Sequence, residues 1–213
     1  MPQHLDNLLF FVIFLNIEIN RTGVILLDNI VDDHYFNIIF CTLCFLILIN
    51  GSNFIDGVNT NIIGYYLSIY VCLFLLLKRN SGLYLNIEIV NIIIILIILY
   101  LFNFFQKLFL GDNGSYLISS FTGYILVKLV NLNEGISPFF VALLLWYPVY
   151  ELLFSIIRKL NLSKSPMLPD KKHFHHLIFF FLKRKISKSN FFSNYINTFS
   201  GIVITMYNLI LFI

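Results

Sequence analysis

Charged residues are scarce in this chain of 213 residues, because Asp, Glu, Lys and Arg together make up only 12% of it. Soluble globular domains carry about 25%. Hydrophobic residues account for 59% of the sequence, and 24 residues are phenylalanine. This balance excludes an ordinary soluble domain and indicates an integral membrane protein.

Cysteine is scarce too, and all three cysteines, Cys41, Cys44 and Cys72, lie inside apolar runs. A small hydrophobic role explains them better than a disulfide or a metal site. The first apolar run has no Lys or Arg before it and no small-residue cleavage site after it. We therefore expect no cleaved signal peptide, so the first helix is expected to remain in the protein.

Seven apolar runs are candidate membrane spans, and the longest of them reach the ~20 residues that a helix needs to cross a bilayer. No strand-length segment of alternating apolar and polar residues lies between the runs. A backbone embedded in lipid must satisfy its own hydrogen bonds, which a helix does. The sequence therefore predicts an all-α, polytopic membrane protein of about seven transmembrane helices, forming a single domain over residues 1–213. The runs are residues 8–19, 36–49, 60–77, 84–105, 115–130, 139–157 and 191–213.

Basic residues are concentrated in one loop, since nine of the 14 Lys and Arg lie between Arg158 and Lys188. The positive-inside rule predicts that this loop is cytoplasmic. Counting back one span at a time places residues 50–59 and 105–114 on the same side, and residues 21–35 and 131–138 outside. Three polar loops are therefore expected to share the cytoplasmic face.

The first of these loops, NGSNFIDGVNT, spaces Asn50, Asn53, Asp56 and Asn59 by three residues. On a helix this spacing keeps side chains on neighbouring positions of one face. A carboxylate flanked by amides at a membrane boundary suits a hard cation such as Mg²⁺, or a phosphate group. The alternative is a helix C-terminus with polar caps and a turn at Gly57.

The second loop, LFLGDNGSY, places Asp112 between Gly111 and Gly114 at the start of an apolar run. Glycines let the backbone approach a ligand closely, and a helix N-terminus favours phosphate. The alternative is an ordinary capped turn with Asp112 or Ser115 as the N-cap.

The third loop contains PDKKHFHHL, in which His173, His175 and His176 follow Pro166 and Pro169. Because proline breaks a helix, a new element is expected to begin at HFHH and to continue as a short apolar helix at the membrane surface. A basic, histidine-rich loop suits phosphates. A polybasic patch on anionic lipid would explain the lysines alone, and the histidines lack the usual spacing of a zinc site.

Taken in this order, the three loops resemble those of the polyprenyl-phosphate N-acetylhexosamine-1-phosphate transferases of glycosyltransferase family 4. That family has an N-x-x-N-x-x-D-G loop, a G-D-x-G-S loop and a cytoplasmic P-D-x-x-H-x-H-H segment. Members with H-x-H-H resemble the branch that starts O-antigen, teichoic-acid or related envelope glycans. The matching residues are Asn50, Asn53, Asp56 and Gly57, then Gly111, Asp112, Gly114 and Ser115, and finally Pro169, Asp170, His173, His175 and His176.

The resemblance implies that an N-acetylhexosamine-1-phosphate is transferred from a UDP-sugar to undecaprenyl or another polyprenyl phosphate, with release of UMP. It implies Mg²⁺ as the cofactor, or Mn²⁺ in its place. The implied setting is the bacterial inner membrane, with the active site on its cytoplasmic face and the bilayer as a partner. No nucleic-acid partner is expected, and a homodimer is left open.

The resemblance also assigns roles to individual residues. Asp56 and Asp112 are the expected catalytic carboxylates, and Asp112 and Asn53 the expected metal ligands. The expected substrate-binding residues are Asn50, Asn53, Asn59, Lys171, Lys172, His173, His175 and His176.

The sequence departs from the family in its acidic pair. Family members carry Asp-Asp on a cytoplasmic loop well before the first motif, whereas Asp32 and Asp33 are only one short helix from Asn50 and are expected outside. We therefore expect the family's first helices to be missing before Met1. The alternative function is an N-terminally truncated, non-catalytic remnant that binds nucleotide sugar.

Two smaller departures are Thr60, where the family often has Gly, and Glu151, where it usually has Asp. A transporter is a third alternative, which is disfavoured because the polar clusters lie in loops on one face rather than at mid-membrane.

Overall fold

A computed structural model of the chain describes residues 2–79, 86–162, 173–186 and 195–213. Within these ranges the chain forms ten α-helices and no strand, which confirms the predicted all-α class. The helices are α1 Pro2–Phe14, α2 Ile25–Val31, α3 His34–Ile55, α4 Asn61–Arg79, α5 Asn86–Phe104, α6 Gly111–Leu132, α7 Pro138–Leu144, α8 Trp146–Asn161, α9 Phe174–Ile186 and α10 Ile196–Phe212.

Four helices, α3 to α6, are long and apolar enough to cross a membrane, and α7 with α8 makes a fifth if this bent pair is one span. The predicted count of seven is therefore higher than the four or five found among the described residues. Two of the predicted spans correspond to helices that are too short to count among these: α1 has 13 residues and α10 has 17. The run at 139–157 is bent by 69° between α7 and α8, which hydropathy alone does not reveal.

The helices alternate in direction, so the predicted motifs meet at one end of the bundle. We call this the motif end: it contains the ends of α3 and α5 and the beginnings of α4 and α6. Here the backbone N–H of Thr60 donates to Asn103 Oδ1, and Asn53 Nδ2 donates to Tyr116 OH over 3.2 Å. The motif end thus joins the two loops that were predicted to share a face.

The opposite end is held by Arg21, which precedes α2. Its guanidinium donates to the carbonyls of Asn133, Glu134 and Ile136 over 2.8 to 2.9 Å, just beyond the C-terminus of α6. A cation at this position also complements the helix dipole. Residues 21–35 and 131–138 therefore share one end of the bundle, as the topology prediction requires.

Asp32 and Asp33 also lie at this opposite end. Asp33 is the N-cap of α3 and accepts a hydrogen bond from the backbone N–H of Phe36. The 22 residues of α3 separate the pair from Asp56, a helix length of about 33 Å. This placement agrees with the prediction that the pair is not part of the motif end.

The centre of the bundle is α4, whose span is 67% buried, whereas that of α5 is only 17% buried. Four tyrosines, Tyr65, Tyr66, Tyr70 and Tyr147, are completely enclosed in this core. Each hydroxyl has a partner; Tyr70 donates to Thr122 Oγ1 over 3.1 Å, and Asn61 Nδ2 donates to Tyr147 OH over 3.3 Å. Lipid chains are as apolar as the helix surfaces, so apolar contact alone does not favour one arrangement of the helices. The hydrogen bonds of these tyrosines supply that preference.

The bend between α7 and α8 depends on Pro148. A proline has no N–H, so it cannot donate to the carbonyl four residues earlier, which is that of Leu144. The buried hydroxyl of Tyr65 donates to this carbonyl instead. The bend also brings α8 against α3, where a Cβ at Gly51 would lie 2.2 Å from the Pro148 carbonyl oxygen.

Replacing Tyr65 by Phe is expected to destabilise the protein, because the Leu144 carbonyl would be buried without its donor. An unsatisfied buried polar group costs about 1–3 kcal/mol. Thermal unfolding in detergent micelles, followed by circular dichroism, measures the loss. Tyr150→Phe is the control, because Tyr150 is exposed; equal stability of the two variants would contradict the assignment.

Candidate active site

The first motif lies mostly on a helix rather than in a loop. Asn50 and Asn53 belong to the last turns of α3, and Asp56 is its C-cap. The loop prediction is wrong for the two asparagines, because the backbone stays helical to Ile55. Asn50 donates back to the Leu46 carbonyl of its own helix over 2.7 Å. Asn59 is buried in the turn that follows.

The second motif begins α6. Gly111 adopts φ +63, a left-handed conformation that favours glycine, and starts the helix with Leu110 as N-cap. The alternative of a turn capped by Asp112 or Ser115 is therefore wrong, because neither residue is the N-cap. Asp112 is exposed in the first turn of α6, at the motif end.

Asp56 and Asp112 are electrostatically coupled across the two motifs. Burial and the nearby charge of Asp112 raise the pKa of Asp56 to about 7, although the backbone N–H of Gly111 opposes this shift by hydrogen bonding to the carboxylate. Two carboxylates that share a site cannot both ionise easily without a cation. The pair therefore forms a place where a divalent cation would be stabilised.

Glu151 of α8 fixes the histidine segment. Its carboxylate lies 2.8 Å from His173 Nδ1 and accepts a hydrogen bond of 2.7 Å from the backbone N–H of Phe174, the first residue of α9. Both Glu151 and His173 are buried. A carboxylate that accepts a backbone N–H at a helix N-terminus stabilises the helix start. The predicted beginning of a new element at HFHH is thus confirmed.

The rings of the three histidines lie against one another at the start of α9. The ring of His175 lies 5.7 Å from that of His173, nearly parallel to it, and 4.2 Å from that of His176. His175 is 1% exposed, and neither of its ring nitrogens has a hydrogen-bond partner. Burial lowers the pKa of His175 to about 3, and the two neighbouring histidines add to this effect. At neutral pH His175 is therefore uncharged.

His175 joins the third motif to the first. A Cβ at Gly57 would lie 2.0 Å from His175 Nε2, so only glycine leaves room for this ring. The conformation of the motif glycine is not the constraint here; the constraint is the close approach of the imidazole. The three predicted motifs thus meet at the motif end, with Asp56 between the second and the third.

Thr60 has an unusual backbone for a β-branched residue, with φ +67. Its hydroxyl has two acceptors, the carbonyl of Asn59 at 2.6 Å and that of Thr198 in α10 at 3.1 Å. Its N–H donates to Asn103 of α5. These bonds hold a conformation that glycine would adopt without strain. This is the position where the family often has Gly.

A groove of about 450 Å³ opens beside the motifs, between α1, α3 and α6. Amide and hydroxyl groups line it at the motif end, among them Asn50, Asn113 and Tyr116, and apolar side chains line the remainder. The apolar residues are Leu8, Phe11, Leu46, Ile49 and Leu117.

Three further residues shape the site; the sequence prediction missed Tyr116 and Asn103 and noted Glu151 only as a departure from the family. Tyr116 holds Asn53, Asn103 holds Thr60, and Glu151 holds the start of α9. Glu151 had a signal, as a carboxylate inside an apolar run, but Tyr116 and Asn103 had none. Lys171 and Lys172, predicted to bind the diphosphate, lie outside the described residues. Within the described part of the chain, no three His, Cys, Asp or Glu side chains are grouped to hold a metal by themselves.

A family model described as glycosyl transferase family 4 matches residues 5–130, more than half of the chain. The chain belongs to glycosyl transferase family 4. With its long apolar helices it is a multi-pass membrane protein. No solved structure matches it significantly.

Three curated relatives illustrate the likeness. An undecaprenyl-phosphate alpha-N-acetylglucosaminyl 1-phosphate transferase of Thermotoga maritima is 35% identical over 38% of this chain and 25% of its own length. A decaprenyl-phosphate N-acetylglucosaminephosphotransferase of Mycolicibacterium smegmatis is 28% identical over 76% of this chain and 44% of its own. A probable undecaprenyl-phosphate N-acetylglucosaminyl 1-phosphate transferase of Bacillus subtilis is 31% identical over 65% and 39%. Each match spans less than half of the relative.

Replacing Glu151 by Ala should release the start of α9. The backbone N–H of Phe174 and the His173 ring would lose their buried acceptor, at a cost of about 1–3 kcal/mol. We expect amide hydrogen exchange near Phe174 to become about tenfold faster or more, measured by mass spectrometry. Glu88→Ala is the control, because Glu88 is exposed on α5; equal exchange in both variants would count against this role.

The raised pKa of Asp56 predicts a pH dependence of stability. The folded state keeps the Asp56 proton up to about pH 7, whereas the unfolded state loses it near the ordinary value of 3.8. Between these values the folded state binds more protons, so this contribution to stability is full at low pH and is lost as pH rises through 7.

The measurement is the free energy of unfolding of the wild type minus that of Asp56→Asn, without divalent cations. This difference should fall from pH 4 to 7 and level off above pH 8. Asp112→Asn should make the fall end at a lower pH, because the neighbouring charge is gone. A flat difference would show that Asp56 is not perturbed.

Proposed function

We propose that this protein transfers an N-acetylhexosamine-1-phosphate from a UDP-sugar to undecaprenyl or another polyprenyl phosphate, releases UMP and requires Mg²⁺. The observation that carries the proposal is the meeting of three motifs at one end of the bundle, with Asp56 coupled to Asp112 and Gly57 covered by His175. The relatives, which are named as transferases acting on undecaprenyl and decaprenyl phosphate, support the acceptor and the sugar phosphate.

The chemistry explains why carboxylates are needed. The reaction brings two anionic phosphates together, so positive charge must offset their repulsion. Mg²⁺ prefers oxygen ligands, binds through one or two carboxylates, and keeps positions for water and substrate phosphate. Asp112 and Asp56 fit this pattern, although no third carboxylate is grouped with them among the described residues.

We assign the metal to Asp112, with Asn53 and Asp56 beside it. The amide nitrogen of Asn53 donates to Tyr116, which leaves the amide oxygen as the group that would face a cation. Bound Mg²⁺, or Mn²⁺, would supply the positive charge that draws the two phosphates together. The half-buried Asp56 would then ionise readily, because the cation favours its charged form.

The histidine cluster is the proposed donor side of the site. His173 and His176, together with Lys171 and Lys172 outside the described residues, suit the diphosphate of the UDP-sugar. His175 is uncharged and enclosed in this structure, so its packing on Gly57 sets the position of the first motif. Asn50 and Asn59 are the remaining proposed polar contacts to substrate.

The groove between α1, α3 and α6 is the proposed acceptor side. A polyprenyl phosphate has an anionic head and a long apolar chain, and the groove has Asn50 and Asn113 at the motif end and apolar side chains beyond. Asn113 follows Asp112 directly, so a phosphate at this end would lie beside the proposed metal site.

We place the motif end on the cytoplasmic face of a bacterial inner membrane, because nine of the 14 basic residues belong to the segment from Arg158 to Lys188, which includes the end of α8 and α9. The product would begin a cell-envelope glycan such as O-antigen or teichoic acid. The alternative, a non-catalytic protein that binds nucleotide sugar, uses the same donor residues.

Membranes that contain this chain should release UMP from UDP-N-acetylglucosamine when undecaprenyl phosphate and Mg²⁺ are supplied. Asp112→Asn should lower the rate about 100-fold or more, since it removes the main metal ligand. Glu134→Gln is the matched control, because this exposed carboxylate lies at the opposite end. UDP-sugar binding without UMP release would favour the non-catalytic alternative, and full activity of Asp112→Asn would overturn the assignment.

A further inference from the structure

Helix α9 exposes an apolar stripe on the side that faces away from the bundle. Leu177, Phe180 and Phe181 are 55%, 50% and 57% exposed. His175 on the other side is buried, and Ile178 packs against the main hydrophobic core. The spacing of three and four residues places the exposed side chains on one face of the helix. Water is an unfavourable surrounding for such a stripe.

The last turn of α9 carries three consecutive cations, Lys183, Arg184 and Lys185, and all three are exposed. Arg184 comes seven residues after Leu177, so it lies on the same face of α9 as the apolar stripe. The amine of Lys185 lies 5.0 Å from the centre of the Phe181 ring. The amine therefore makes a cation–π contact with the edge of the stripe, while Lys185 stays exposed.

We propose that α9 docks onto the membrane surface, with its apolar stripe in the leaflet and its three cations on the headgroups of anionic phospholipids. Apolar side chains on one face with Lys and Arg beside them are the pattern of helices that lie in a membrane interface. The occupant is a lipid surface rather than a second α9, because α9 has no Asp or Glu to pair with the three cations of another copy. Anionic headgroups supply that negative charge.

Docking would leave α9 held at both of its ends. The start of this helix is already fixed by Glu151 through Phe174 and by the packing of His175 on Gly57. Contact with lipid would fix the other end, so that α9 has little freedom to tilt. The inference does not rest on the proposed reaction, since lipid contact can be measured without substrates.

The test uses the full chain in vesicles without polyprenyl phosphate. The wild type has one tryptophan, Trp146, which supplies the background fluorescence. In Phe181→Trp the new indole should be quenched by phospholipids brominated near the headgroup end of their chains. Phe179→Trp is the matched control, because Phe179 is only partly exposed on another side of α9. Equal quenching of the two variants would overturn the proposal.

The second measurement tests the choice of anionic lipid. Quenching of Phe181→Trp in mixtures should give brominated phosphatidylglycerol a relative binding constant about fivefold or more above that of phosphatidylcholine. Combining it with Lys183→Gln, Arg184→Gln and Lys185→Gln should return the ratio to about 1. Lys107→Gln, an exposed cation at the same end, should leave it unchanged. A ratio near 1 for Phe181→Trp alone would overturn the proposal. So would an indole that neither brominated lipid nor aqueous acrylamide quenches, since the stripe would then be covered by protein.

Discussion

The arrangement of the site depends on the carboxylate of Glu151, which accepts hydrogen bonds from a side chain and a backbone N–H at the start of α9. Beside this acceptor, the edge-to-face contact of the Phe174 ring with Tyr147 of α8 also holds the histidine segment, but it satisfies no polar group. The position of Glu151 is set in turn by the bend at Pro148 and by the Tyr65 hydroxyl that satisfies the Leu144 carbonyl. A buried bond in the core of the bundle thus determines where the histidines lie.

This dependence continues from α9 to the carboxylates. His175 leaves no room for a side chain at Gly57, and Gly57 directly follows Asp56. Asp56 lies close enough to Asp112 for the two charges to oppose each other. An arrangement that holds two acidic groups together costs stability until a cation arrives. The same groups that make the empty site unfavourable would therefore make cation binding favourable.

The sequence predicted the helical class, the shared face of the three loops and the residues that meet there, because motif spacing and charge asymmetry are local features. It did not predict the break at Leu145, because a continuous apolar run has the same hydropathy whether or not the helix bends. It also missed Tyr116 and Asn103, whose partners lie 63 and 43 residues away in the chain. Such contacts are decided by packing, which a single sequence does not show.

Thr60 shows how a departure from a family pattern can preserve the backbone. Glycine would adopt the positive φ at this position without strain, whereas threonine is strained there by its branched side chain. The hydroxyl, however, has the carbonyls of Asn59 and of Thr198 in α10 as acceptors. The N–H donates to Asn103 of α5. Glycine would lose these hydroxyl bonds and threonine keeps them, so strain in one residue is offset by bonds that hold the turn and link it to α10 just before α4 begins. Glycine would adopt the conformation of this turn through its own backbone freedom. With threonine, hydrogen bonds hold the turn after Asp56 in that same conformation.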